Sequence, residues 1–337
     1  MGRDIIRFAI VGCGHIGYRH AAMISNNIES ELVALCDSDH SKKREEYSAV
    51  PFYQSIDEIL SSSDSIDVVC IATPNGLHEE HAIKCLQHGL HVVIEKPMAL
   101  TKSGCEKILY EALHHHKHVF CVMQNRYSPP SVWLKDILLK KVLGRIYIVE
   151  INCYWNRDER YYKKGDWHGT LELDGGTLFT QFSHFIDIMY WLFGDIKTIE
   201  AKFGNFNHSD LTEFEDSGFI LFDFVEGGIG SFNYSTSLWN SNLESSITII
   251  AENGTVKVGG QYMNKVEVCN IKGYEMPELP PSNPPNDYGA YKGSAANHHY
   301  IFENVVDVLK GRGPITTNAL EGLKVVEIIE RIYNTKR

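Results

Sequence analysis

Glu95-Lys96-Pro97 closes the short apolar run His91–Ile94, well downstream of a glycine turn, Gly12-Cys13-Gly14-His15-Ile16-Gly17. A strand ending this way delivers an ammonium group to the crevice beyond the carboxyl ends of a parallel sheet, where open α/β folds bind ligands. An amine placed there can hold a hydroxyl group and stabilise the negative charge that develops on its oxygen. Pro97 fixes its own φ and keeps Lys96 extended, so the side chain is aimed. A lysine snorkelling to the surface is the plain alternative.

The glycine turn follows Ile5–Val11 and opens a helix, the setting a dinucleotide-binding fingerprint requires. Gly12 allows the tight turn, Gly14 lets the backbone approach a pyrophosphate, and Gly17 lets helix and strand pack closely. His15 and Ile16 stand at the helix amino terminus, whose unpaired N–H groups favour phosphate. Asp37, twenty residues beyond Gly17, ends the second strand, where a carboxylate accepts hydrogen bonds from the adenosine ribose and repels a 2′-phosphate. NAD is therefore expected as cofactor, with Lys42, Lys43 and Arg44 the residues that keep NADP open. After Ile66–Ala72 the chain leaves the sheet at Thr73-Pro74-Asn75-Gly76. Thr73, Pro74, Asn75 and His78 are candidates to meet the cofactor, as are Glu95, Lys96 and Asn125. A capping turn at Asn75 is the rival reading.

The elements that position these residues follow from periodicity. Runs at Ile5–Val11, Leu32–Cys36, Ile66–Ala72, His91–Ile94 and Val119–Met123 are short and rich in β-branched residues, as strands covered on both faces are. Helical stretches alternate with them over Gly17–Asn26, Ser41–Tyr47, Ile56–Ser61, Leu77–His88 and Lys102–His115. The fold class is α/β: a Rossmann domain with a doubly wound parallel sheet over 1–123, then an α+β domain over 124–337. The second domain is expected to carry a large, mostly antiparallel open sheet of at least six strands. Its hairpin signals are Glu226-Gly227-Gly228 and Asn253-Gly254, and its helices lie near Ser131–Lys141 and Phe182–Leu192.

With 337 residues, two domains are the natural expectation. A net charge of −11 (32 basic against 43 acidic residues) excludes a nucleic-acid coat or an anionic membrane surface as partner. No apolar run approaches the roughly 20 residues of a membrane span. Met1-Gly2-Arg3-Asp4 leads directly into a strand, so a cytoplasmic location is expected. The eight cysteines are spaced as reduced, buried small residues. The tract His114-His115-His116-Lys117-His118 reads as a solvated helix end, and no metal site is expected.

The Glu95-Lys96-Pro97 triplet after a glycine turn, the stretch Ala72–His78 and the helix His184–Gly194 resemble the Gfo/Idh/MocA oxidoreductases. The stretch from Gly144 to Asp195, with Gln124–Pro130 before it and Leu243–Gly260 after it, is similar to UDP-N-acetyl-2-amino-2-deoxyglucuronate (UDP-GlcNAcA) 3-dehydrogenases. That resemblance implies NAD-dependent oxidation of the sugar 3-hydroxyl to a 3-keto sugar in bacterial surface-polysaccharide synthesis, with an aminotransferase acting next. It also implies a homodimer or homotetramer built on the open sheet.

His184, read alone, is a core residue on an amphipathic helix, one turn from Asp187. The resemblance makes it the proton acceptor and Lys96 its catalytic companion. Two departures from the family pattern are Thr180, where Asp or Asn is frequent, and His168, where arginine is frequent. Substrate candidates are Lys96, Arg157, Tyr162, Gln181 and His184. Arg157, Arg160, Lys163 and Lys164 form a basic segment suited to a carboxylate or diphosphate, although Asp158, Glu159 and Asp166 make a solvated mixed-charge loop an equal contender. The loop Met276–Asp287, with five prolines, is long and stiff enough to cover a nucleotide-sugar. Two alternatives stay open: a dehydrogenase of a free polyol or sugar, and a non-catalytic NAD-binding regulatory subunit.

Overall fold

The apolar runs of the first 123 residues form six parallel strands in the computed structural model, which describes residues 5–62, 65–289 and 291–336. They are β1 (Ile6–Val11), β2 (Ser30–Cys36), β3 (Phe52–Tyr53), β4 (Val68–Ile71), β5 (His91–Ile94) and β6 (Val119–Cys121), in the order β3-β2-β1-β4-β5-β6. β4 is fully buried along its length, as a strand covered on both faces must be. The order reverses between β1 and β4, and the loops after these two strands carry the glycine turn and Thr73–His78. Met1–Asp4, read as leading straight into β1, and Ala290 lie outside the described residues.

Helices α1 (His15–Asn26), α2 (Ile56–Ser61), α3 (His78–Gln87) and α4 (Lys102–His114) alternate with these strands. α1 begins two residues before the expected Gly17, because Gly14 takes the N-cap position. Ser41–Tyr47 forms two single 3₁₀ turns, His40–Lys42 and Glu45–Tyr47, instead of an α-helix. Neither turn has a buried residue, so no packing supports a longer helix there. Seven of the eight cysteines are buried and all are free thiols.

The second unit opens with α5 (Pro129–Leu139) and β7 (Ile146–Tyr154), followed by α6 (Ser183–Phe193). β8 (Ile196–Gly204), β9 (Ser217–Phe224), β10 (Ile229–Ser235), β11 (Glu244–Ala251), β12 (Gly254–Gly259) and β13 (Lys265–Ile271) complete a seven-stranded sheet, β13-β12-β11-β7-β10-β9-β8. Every pairing is antiparallel except β7 with β10. One face buries Val149, Ile151, Phe232, Ile247 and Ile249. Phe182 and Phe185, at the start of α6, set their rings against Trp155 at 5.3 and 5.7 Å. The opposite face leaves Phe219, Leu221 and Ile229 more than half exposed. A ribbon of β14 (Pro285–Asp287) and β15 (Lys292–Ala295) follows the proline-rich segment.

The chain then returns to the first unit through α7 (His298–Leu309) and the first half of α8 (Ala319–Tyr333): residues 298–326 belong with 1–123, and 327–337 with 124–297. The linear reading carried the second domain unbroken from 124 to 337. Packing drives the return, because α7 presents Ile301, Phe302, Val305 and Val306 as a buried stripe. Phe302 meets Phe8 edge-on at 5.9 Å, and the Cys121 N–H donates to the Thr317 carbonyl at 2.9 Å. No helix among the described residues is long and apolar enough to cross a membrane.

Candidate active site

In the first unit the glycine turn is sterically enforced. Gly12 has φ +100°, and a β-carbon there would lie 2.4 Å from the Ala72 carbonyl oxygen. One on Gly17 would lie 1.9 Å from the Gly12 carbonyl oxygen, whereas one on Gly14 would meet nothing within 4 Å. The turn is therefore closed on its packing sides and open at Gly14, where a pyrophosphate needs room. His15 is exposed and Ile16 half-buried at the head of α1. Gly17→Ala is expected to cost about 1–3 kcal/mol of stability by overpacking and to weaken NAD binding at least about tenfold by displacing the turn, measured by denaturation and calorimetry.

Asp37 is buried, accepting the Cys13 N–H at 2.8 Å and the Asp39 N–H at 2.9 Å, with Lys42 Nζ at 3.3 Å. The carboxylate thus braces the glycine turn from the end of β2, where a ribose is expected. After β4, Thr73 and Pro74 are half-buried and Asn75 is buried.

His78 is a further residue of this loop expected to reach the cofactor. It is fully buried, with Nδ1 2.7 Å from the Pro97 carbonyl and Nε2 2.9 Å from that of Thr73. Burial holds its pKa below the ordinary value against the pull of these carbonyls, and either can take the single N–H of the neutral ring.

Glu95, also expected at the cofactor, turns its carboxylate into the core and accepts from His20 Nε2 at 2.9 Å. Burial pushes its pKa up, but the His20 hydrogen bond and the nearby His298 and Lys96 together bring it down to about 2. Lys96 is half-buried, and the Lys96–Pro97 bond is cis. Burial also lowers the pKa of nearby His298, from 6.5 to about 3. Both shifts are depressions, so the unfolded chain binds more protons and stability falls as pH drops. The expected loss runs from pH 6.5 down to about 3 for His298, and from 4.5 to about 2 for Glu95. Melting temperature followed over this range checks it; a His298→Gln variant should lose less stability across the upper part.

In the second unit a π-helical turn, Leu178–Phe182, leads into α6 and His184, which is 4% exposed. Such turns recur at functional sites. Asp187, one helical turn on, is taken up by Arg126 in a buried bidentate pair, Nε to Oδ2 at 2.8 Å and Nη2 to Oδ1 at 2.5 Å. This pair anchors α6 to the segment following β6. Arg126→Leu would strand a buried carboxylate, and a loss of about 3–5 kcal/mol is expected from chemical denaturation.

Arg157 lies in the interior and not in a solvated loop. Its Nε donates to Gln181 Oε1 at 2.8 Å, Nη1 to the Asn156 carbonyl at 2.6 Å, and Nη2 to the Lys292 carbonyl at 3.1 Å. Trp155, Tyr291 and Tyr161 surround the guanidinium at 4.8, 4.9 and 5.4 Å. Burial lowers its pKa from the ordinary value, and no carboxylate is paired with it among the described residues. The neighbouring Arg160 is spent on Asp158, and Lys163 and Lys164 are exposed.

Tyr162, expected against substrate, is 2% exposed and packs edge-on to Tyr161 at 4.9 Å, so its ring belongs to the core. Asn125 is buried, and neither polar atom of its amide has a hydrogen-bond partner among the described residues. A buried amide left so is what a ligand-facing residue offers. Thr180 donates to Asp174, a buried carboxylate that sequence reasoning missed and that also accepts the Gly169 N–H at 2.7 Å. His168 stacks on Trp167 at 3.8 Å and bonds Asp166.

Residues 6–123 match the family described as "Oxidoreductase family, NAD-binding Rossmann fold", and residues 132–257 match "GFO/IDH/MocA C-terminal domain". The chain belongs to the Gfo/Idh/MocA oxidoreductase family. Its first unit is that family's NAD-binding Rossmann domain, and the closed and open sides of the glycine turn fit the cofactor.

Among solved structures, the chain is similar to the WlbA dehydrogenase of Bordetella pertussis in complex with NADH and UDP-GlcNAcA. Identity is 30%, TM-score 0.88, and 98% of this chain and 96% of that chain are covered. A second WlbA, from Chromobacterium violaceum, also with NADH and UDP-GlcNAcA, is 31% identical at TM-score 0.87, covering 99% and 94%. The inositol 2-dehydrogenase/D-chiro-inositol 3-dehydrogenase of Halalkalibacterium halodurans is 24% identical over 66% of this chain and 63% of that one. The first curated relatives are matched over only 53 to 63% of their own length.

Proposed function

We propose that this chain is an NAD-dependent dehydrogenase that oxidises the 3-hydroxyl of UDP-GlcNAcA to a 3-keto sugar. The observation that carries the reading is the likeness over nearly the whole chain to two dehydrogenases captured with NADH and that nucleotide-sugar. Arg157 supports it. A buried guanidinium with no carboxylate beside it among the described residues is costly unless an anion joins it, and a uronate matches its planar fork.

When bound, NAD supplies the hydride acceptor. In this reading Lys96 holds the reacting oxygen and stabilises its developing charge. His184 takes the hydroxyl proton. Gln181 keeps Arg157 oriented, the unpartnered Asn125 amide meets the cofactor, and the proline-rich segment covers the nucleotide-sugar. The ketone product suits a following transamination, the chemistry of the aminotransferase partner.

The test is turnover of UDP-GlcNAcA against myo-inositol and free glucose with NAD, followed at 340 nm, with the product identified by mass spectrometry. NADH formation with the UDP-linked uronate, and a product lighter by two hydrogens, is the expected result. The inositol dehydrogenase relative keeps a second reading in view, oxidation of a free polyol; inositol turned over in preference would establish it. Bound cofactor that never changes redox state across the panel would instead mark a regulatory subunit.

The half-exposed apolar residues of the open sheet face suit a homodimer or homotetramer. Leu221→Asp, placed among them, is expected to lower the mass measured by light scattering to that of one chain.

A further inference from the structure

We infer that Lys96 is aimed by two buried histidine clamps, one closing on Glu95 and the other on Pro97, and that Glu95 is a positioning residue that touches neither cofactor nor substrate. The inference rests on the reading that Lys96 faces the reacting carbon.

On one side of the lysine, Glu95 continues β5, its N–H donating to the Ile71 carbonyl at 3.0 Å. Its carboxylate folds back into the core. Oε1 accepts from His20 Nε2 at 2.9 Å and lies 3.7 Å from His298 Nε2, while Oε2 accepts the Lys96 N–H at 3.2 Å. His20 and His298 are 0% and 3% exposed, so both are fixed by their surroundings, His20 with its ring 5.0 Å from that of Phe302. An ionised carboxylate only accepts hydrogen bonds, and the groups converging here are nitrogens that can donate to it.

On the other side, the His78 ring lies between the Pro97 and Thr73 carbonyls and donates its single N–H to one of them, packing the lysine triplet against the loop after β4. The main chain on either side of Lys96 is thus bolted to α1, α3 and α7, which explains why α7 returns to this unit instead of staying with the sheet it follows. The side chain between the bolts keeps its direction, and direction is what hydride chemistry needs from it.

The donor atoms of His20, Glu95 and His298 also lie within 4.8 Å of one another, a spacing open to a divalent ion. The 2.9 Å contact is that of a hydrogen bond, and the site is sealed, so protons and not a metal are assigned to it.

Glu95→Gln and His298→Gln test the assignment, with kcat, KM for the sugar, NAD binding by calorimetry, metal content by elemental mass spectrometry, and crystal structures of both. The amide in Glu95→Gln cannot accept on both ends, and a displaced lysine should lower kcat about 100-fold, with KM and the NAD Kd within about threefold of wild type. His298→Gln keeps a donor and should lower kcat about tenfold by the same route. If Glu95→Gln does not fold, His298→Gln carries the test alone.

A weakened NAD Kd with kcat retained would mean that Glu95 touches the cofactor. Unchanged kinetics, an unmoved Lys96, or a stoichiometric divalent ion would each overturn the clamps. The crystal structures need no substrate. A wild type that oxidises no sugar, beside a Glu95→Gln protein whose Lys96 has shifted, would therefore defeat the dehydrogenase reading and leave the clamps standing.

Discussion

Lys96→Met is expected to lower kcat by about 100- to 1,000-fold, the scale of removing one preorganised group aimed at a developing oxyanion. The NAD Kd should stay close to wild type, because the glycine turn and Asp37, the residues proposed to hold the cofactor, are built independently of the ammonium. Methionine keeps the stem and its packing while removing the charge. Lys96→Arg is expected to rescue little, since a planar fork is not interchangeable with a compact ammonium where one atom must sit against one oxygen. Steady-state kinetics beside calorimetry separates these outcomes. A parallel loss of NAD binding would show that Lys96 serves the cofactor and not the chemistry.

His184→Asn carries the second large effect, about 100- to 10,000-fold in kcat, the range ascribed to a positioned proton acceptor. The amide preserves much of the shape of a buried side chain on α6, and the Arg126–Asp187 pair one turn along remains to anchor the helix. Folding should therefore survive, and a fall in kcat with an unaltered melting temperature separates a proton-transfer role from a packing one. If activity persisted, His184 would be the satisfied core histidine that its neighbours Phe182 and Phe185 suggest when read alone.

The Rossmann half was legible because its signals are local. The β-branched runs, Gly12, Gly14 and Gly17, and the acidic residue ending β2 are each short-range features, and each lies on the expected element. The antiparallel sheet was legible from alternation and from the Glu226-Gly227-Gly228 and Asn253-Gly254 turns. What escaped depends on distance along the chain. His298 joins Glu95 from some two hundred residues away, and neither residue carries a local sign of the other. Glu95 and His78 look like pocket residues in sequence because they border the right strands. Only packing shows that their polar atoms point inward.

Arg157 is a third case, since in sequence it is one of four basic residues in a segment that reads equally as an anion site or a solvated mixed-charge loop. Three aromatic rings and two carbonyl groups instead take it into the interior, while Arg160, three residues on, stays outside with Asp158. The return of α7 to the first unit was not legible, because an amphipathic stripe says that a partner exists without saying which.

A crystal structure of the protein with NAD and UDP-GlcNAcA tests the central claim most directly. The account predicts Lys96 Nζ and a ring nitrogen of His184 both within about 3.2 Å of the sugar 3-hydroxyl oxygen, the reach of a hydrogen bond. Either group standing beyond about 6 Å from that oxygen, too far even for one bridging water, with both ligands bound, would contradict it.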